Sequence, residues 1–128
     1  MRRFLFAAFL AVACATGAAA GPIEDAFSAF DRQEYTLAAQ LLRPLAKQGN
    51  ARAQVMLGNM YDFGVGVPQN FMLSYMWLNV GAAASTGDLM EAATKDRDKV
   101  ALKMAAAQIE KAQEMARRCQ QSKFMECD

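Results

Sequence analysis

The sequence contains no histidine among its 128 residues. Histidine is the commonest general base and the commonest metal ligand in proteins, so its absence weighs against an enzyme and against a metal site. Asp96 and Asp98 alternate with Lys95, Arg97 and Lys99, which is typical of a solvated helix face rather than of paired catalytic acids. We therefore expect no catalytic residue, no cofactor-binding residue and no metal ligand.

The chain also has little net charge. It carries 14 basic and 13 acidic side chains, a formal net charge of +1. Such a balance creates no large electrostatic field for attracting nucleic acid. The Gly64-Val65-Gly66 segment lacks the further glycine and the Lys-Ser/Thr of phosphate-binding loops, so it is better interpreted as a turn. We expect no nucleic-acid partner.

No charged residue occurs between Arg3 and Glu24. Arg2 and Arg3 precede an apolar run over residues 4–13, and Ala18-Ala19-Ala20 is a small-x-small cleavage pattern. These features predict a secretory signal peptide that is cut after Ala20. Two alternatives stay open, an uncleaved membrane anchor and lipid modification of Cys14.

Removal of residues 1–20 takes away two arginines and leaves 12 basic and 13 acidic groups, a net charge of −1. The remaining chain is long enough for one modest core. We place it in a bacterial periplasm, with no stable membrane insertion once the signal peptide is removed.

Cys119 and Cys127 are then the only cysteines left. Their spacing matches no zinc or redox motif. In an oxidising compartment two thiols favour a disulfide, which would restrict the unfolded chain by about 2.5 kcal/mol. The alternative is two unpaired thiols on a frayed tail.

The strongest pattern of the chain begins at Ala53. Ala53, Leu57, Gly58 and Tyr61 recur on one helical face, and a second helix can press closely against a glycine there. The helix is expected to end in the segment that holds Gly64 and Gly66, and a new one to start near Pro68 and Asn70. The pattern predicts a helix hairpin.

These residues resemble the Sel-one-like repeat, a relative of the tetratricopeptide repeat. The resemblance is carried by Ala53, Leu57, Gly58, Tyr61, Gly64, Gly66, Val67 and Trp77. Asn70 stands where the family has Asp, and Ser74 stands where it has Ala. The best-matched repeat covers about residues 51–86.

The resemblance implies an all-α fold, an α/α superhelix of about six helices in three antiparallel pairs over residues 21–121, followed by a tail over 122–128. Gly49 and Gly87 close similar segments 38 residues apart, slightly more than one family period. The Thr-Pro cap that relatives have before the sixth helix is replaced by Ala105-Ala106. Whether helices five and six are separate or fused therefore stays open.

The resemblance also implies a function, that of a non-catalytic adaptor or scaffold that binds a protein or peptide partner. A first alternative is an envelope enzyme of the β-lactam-binding type associated with cysteine-rich relatives, although those relatives repeat a cysteine pair in each unit. A second alternative is a structural module that self-associates through its N-terminal helix pair.

In tetratricopeptide arrangements, the first helix of each pair lines a concave groove. The 3.6-residue period places Arg52, Val55, Asn59 and Asp62 on a second stripe, away from the packed face of their helix. The resemblance therefore implies a partner-binding groove at these four residues. The alternative is an ordinary solvated helix face.

Overall fold

The computed structural model describes residues 21–128, and the predicted signal peptide lies outside this range. Within it the chain is all-helical, as predicted. Six helices follow one another: α1 (Pro22–Asp31), α2 (Tyr35–Lys47), α3 (Ala51–Phe63), α4 (Phe71–Ala83), α5 (Gly87–Ala101) and α6 (Ala106–Gln121). No helix of residues 21–128 combines the length and the apolar character that crossing a membrane requires.

Two asparagines begin the central helices. The Asn50 side chain accepts a hydrogen bond from the Ala53 backbone N–H, and the Asn70 side chain does the same for Leu73, both at 3.0 Å. Each bond satisfies a backbone donor that the first turn of a helix leaves without a partner. Asn70 therefore serves as the N-cap of α4, a role that the aspartate of the family pattern could fill equally well.

Glycine is required where α3 ends and where it meets α4. Gly64 caps α3 in the left-handed region, with a φ of 64°, which residues with a Cβ adopt at a cost. At Gly58, a Cβ would lie 2.8 Å from Cγ of Leu78. The backbones of α3 and α4 thus approach each other more closely than any larger residue permits.

The helices pack in sequence from α1 to α4, and the third pair is arranged differently. Both α5 and α6 pack mainly on α4. The two are separate helices, joined by a short turn in which the Gln108 side chain accepts a hydrogen bond from the Ala105 N–H at 3.0 Å. The glutamine supplies half of a capping box, so the helix starts here without the Thr-Pro cap.

Two apolar clusters form the core. The larger joins α1, α2, α3 and α4 with the end of α6, and the smaller joins Val55 of α3 and residues of α4 with α5 and the first half of α6. Trp77, Leu42, Leu57 and Met76 are among the largest side chains that are fully buried. Helix α4 contributes to both clusters and lies at the centre of the fold.

The segment after α6 folds back onto α2. Cys119 and Cys127 form a disulfide, as predicted. The Phe124 ring packs against Gly49, and the Asp128 carboxylate pairs with Arg43 on α2. Residues 122–128 therefore contact the helical core directly.

Candidate functional site

A cavity of about 430 Å³ lies across α1, α3 and α5, the first helices of the three pairs. We call it the groove. Its walls are formed by Phe27, Phe30, Arg52, Val55, Met56, Asn59, Met60, Asp62, Phe63, Val65, Leu89, Asp96 and Lys99. Its volume falls within the range of known small-ligand pockets, about 300 to 1,000 Å³.

The surface of the groove is mostly apolar. Phe27 and Phe30 come from α1, Met56 and Phe63 from α3, and Leu89 from α5. Phe27, Phe30 and Met56 are only partly buried, and 70% of Phe63 is exposed. Aromatic and thioether side chains that remain accessible to solvent suit an adaptable binding surface.

The four residues of the predicted stripe all line this groove. Arg52 is exposed and Asn59 is partly buried, so both present side chains to a ligand. Val55 and Asp62 are each only 7% exposed. They are more buried than a free helix face allows, because Val55 packs in the smaller core cluster and Asp62 is covered by the turn after α5.

Both acidic side chains of the groove already have partners. Asp62 forms an ion pair with Lys103, whose ammonium group also lies over the rings of Phe71 and Phe63 at 4.9 and 5.9 Å. This arrangement ties the turn after α5 to the end of α3. An ion pair held against aromatic rings is less hydrated than a pair on an open surface.

The second acid, Asp96, accepts a hydrogen bond from Nδ2 of Asn59 at 3.1 Å. Its other oxygen lies 3.8 Å from Nζ of Lys99. Asn59 and Asp96 thus join the facing sides of α3 and α5 across the groove. The hydrogen bond fixes the asparagine so that its Oδ1 can accept from a ligand.

Arg52 is in a different electrostatic situation. Its guanidinium carbon lies 4.6 Å from the centroid of the Phe27 ring, a cation–π contact between α3 and α1. Within residues 21–128, no carboxylate lies within ion-pair distance of Arg52. The α1 end of the groove therefore carries a cation that is not held in an ion pair.

The residues that resemble the repeat motif lie in the core, in the turn after α3 or at the start of α4. Ala53, Leu57, Gly58, Tyr61 and Trp77 are buried in the core. The Tyr61 hydroxyl accepts a hydrogen bond from Nη2 of Arg43 at 3.0 Å. Gly64 and Gly66 shape the turn after α3, and Asn70 caps α4.

The pKa shifts in the structure belong to groups outside the groove. A hydrogen bond and the charge of Arg32 lower the pKa of Glu34 in the turn between α1 and α2. Burial alone lowers the pKa of Arg43, but the hydrogen bond and charge of Tyr61, together with Asp128, more than offset that effect and raise it. These pairs stabilise the fold and do not tune a reacting group.

Several groove residues were not predicted from the sequence. Asp96 and Lys99 were predicted to lie on a solvated helix face. The rule that the first helix of each pair faces the groove could have identified α1 and α5 as its other walls. The residues that resemble the repeat motif identify only α3 as a wall of the groove.

The arrangement can bind a ligand through apolar contacts, one unbalanced cation and an asparagine carbonyl. Among residues 21–128, no three His, Cys, Asp or Glu side chains are grouped as a metal site would need. In comparisons with protein-family models, curated proteins and solved structures, none matched this chain.

Proposed function

We propose that this chain is a non-catalytic Sel-one-like repeat protein that binds an extended segment of a protein or peptide partner in the groove. One observation carries the proposal. The four stripe residues of α3 lie in a single apolar cavity whose other walls come from α1 and α5. A concave surface built from the first helix of each pair is the arrangement that repeat proteins use for binding.

The chemistry of the groove favours binding over catalysis. The sequence offers no histidine, and both groove acids are engaged with cations. Proton transfer needs a group that can reach the substrate and change its protonation state. An adaptor needs only shape, apolar area and a few polar contacts, all of which the groove offers.

We further propose that the chain acts after export, in a bacterial periplasm. The arginine pair, apolar run and small-residue cleavage pattern of residues 1–20 support export. The Cys119–Cys127 disulfide supports an oxidising compartment. Fractionation of cells that express the full chain, followed by intact-mass measurement, tests both points. Cytoplasmic retention would contradict this location.

Site-specific photo-crosslinking tests the binding function. A benzophenone amino acid is placed at Met56 in the groove and, as a matched control, at Arg117, which is exposed on α6. Both variants are produced as the full chain and irradiated in an envelope extract of the native host. We expect a crosslinked partner from position 56 and none from position 117.

A second variant decides whether the crosslink reports on the groove. The combined substitution Arg52→Glu and Asn59→Ala should abolish the crosslink at position 56 while the melting temperature stays within a few degrees. A crosslink that persists, or that forms equally at position 117, would move the site to another surface. Hydrolysis of nitrocefin by the purified protein would favour the enzyme instead.

A further inference from the structure

We propose that the bound segment carries an acidic side chain that pairs with Arg52, next to apolar side chains that fill the groove. The inference rests on the proposed function and adds the chemistry of the partner. It is carried by Arg52, which lies on the groove and forms no ion pair within residues 21–128.

The positions of the charges decide where the partner's acid must lie. At the α5 side, Asp96 is shared by Asn59 and Lys99. At the end of α3, Asp62 is occupied by Lys103. A further acid at either place would meet a carboxylate, which costs free energy through like-charge repulsion. Arg52, at the α1 end, is the groove cation that forms no ion pair within residues 21–128.

The geometry of Arg52 prepares it for a carboxylate. The guanidinium group lies over Phe27 at 4.6 Å, which restricts the side chain. A planar guanidinium that is held over an aromatic ring keeps its edge donors available for a bidentate carboxylate contact.

The middle of the groove favours a peptide over an acyl chain. Asn59 and Asp96 present oxygen atoms within the mostly apolar groove. An acyl chain would remove water from these atoms without replacing its hydrogen bonds, which is unfavourable. The backbone N–H groups of an extended peptide can replace them, while alternate side chains enter the apolar regions.

The width of the groove sets the length of the segment. Helices lie at least about 8 to 10 Å apart, so the three that line the groove span about 20 Å or more. An extended chain covers about 3.3 Å per residue, and a segment of at least about six residues therefore crosses the groove. Its acid lies at the α1 end, and its apolar side chains lie towards Met56, Phe63 and Leu89.

Selection from a random heptapeptide display library tests the inference. The peptides are joined through their C-terminus to the coat protein, so any selected carboxylate is a side chain. The baits are the full chain, Arg52→Glu and the matched charge reversal Arg117→Glu on α6. We expect the parent and Arg117→Glu to enrich peptides in which Asp or Glu stands next to apolar residues, and Arg52→Glu to lose that preference.

Affinity measurements with a selected peptide then isolate the contact. Replacement of its acid by the matching amide should raise the Kd for the parent by about tenfold, the usual scale of a charged hydrogen bond. The same replacement should leave the Kd for Arg52→Glu almost unchanged. An equal loss with both proteins would overturn the pairing with Arg52.

The remaining outcomes separate this inference from the proposed function. If the enriched peptides lack acids but bind the parent and not Met56→Glu, the acidic contact is overturned and the groove remains the binding site. No enrichment with any bait, or binding unaffected by Met56→Glu, would overturn both. Light scattering tests for a second copy as the occupant. If the parent is a dimer and Arg52→Glu is a monomer, a second copy occupies the groove and the inference is overturned.

Discussion

Oδ2 of Asp128 accepts a hydrogen bond from Nη1 of Arg43 at 2.7 Å, which joins the segment after α6 to the middle of α2. Arg43 also donates to the Tyr61 hydroxyl on α3. One guanidinium group therefore connects three separate parts of the chain. Lys47 pairs with the same carboxylate, and within residues 21–128 it makes no second contact of this kind.

This difference predicts unequal effects for two substitutions that remove a positive charge. Arg43→Met should destabilise the fold by about 1 kcal/mol, because the Tyr61 hydroxyl loses its donor and Asp128 keeps only its ion pair with Lys47. Lys47→Met should cost less, since a partly exposed ion pair contributes little. Urea unfolding of both variants measures the difference. Equal midpoints would show that the double contact of Arg43 does not stabilise the protein.

Reduction of the Cys119–Cys127 disulfide should lower stability by about 2 kcal/mol through the added freedom of the unfolded chain. It should also release residues 122–128 from α2, because Phe124 and Asp128 are held next to the bridge. Thermal melts with and without reductant measure the first effect.

Trypsin measures the second effect, because Lys123 lies inside the disulfide loop and is exposed. Cleavage after Lys123 should become much faster on reduction, whereas cleavage after Lys111, within α6, should change little. A double Cys→Ala variant that behaves like the oxidised parent in both assays would contradict this prediction.

The close approach of α3 and α4 predicts that Gly58→Leu overpacks the hairpin by about 1 to 3 kcal/mol. A Cβ alone would already lie 2.8 Å from Leu78. Ala92→Leu on the exposed side of α5 provides a control for added apolar volume. The control should melt within about two degrees of the parent, which corresponds to a few tenths of a kcal/mol. A parent-like melt of Gly58→Leu would refute the tight contact.

The N-cap of α4 predicts a distinction between two replacements of Asn70. Asn70→Asp should keep the stability, since a carboxylate accepts the Leu73 N–H as well as an amide does and also interacts favourably with the helix dipole. Asn70→Ala should cost about 1 kcal/mol. Chemical denaturation distinguishes them, and equal stabilities of the Ala and Asp variants would exclude a capping role.

Local rules were enough to predict much of this fold from the sequence. Gly64 and Asn70 mark where α3 ends and α4 begins, and both act through the backbone of their own turn. The separation of α5 from α6 was left open because it depends on Gln108, whose side chain replaces a missing cap. That substitution is also local, but no general rule associates Ala105-Ala106 with a helix start.

The groove was only partly predictable, because its membership depends on how distant helices pack. A helical period can place Arg52 and Asn59 on one face of α3. It cannot reveal that α5 packs near enough for Asp96 to bond Asn59, or that Lys103 covers Asp62. The burial of Val55 and Asp62 follows from these tertiary contacts, which leave no signal at the two positions themselves.

Helix α4 is surrounded by α3, α5 and α6, and the five consecutive residues from Ser74 to Leu78 are all buried. Successive residues of a helix point about 100° apart, so five of them leave no side uncovered. In a simple stack of repeats, the terminal unit can be removed and its neighbour loses one face. Here, deletion of α6 would uncover part of the central helix and open both core clusters. The protein therefore cannot be shortened one helix at a time from its C-terminal side without exposing its core.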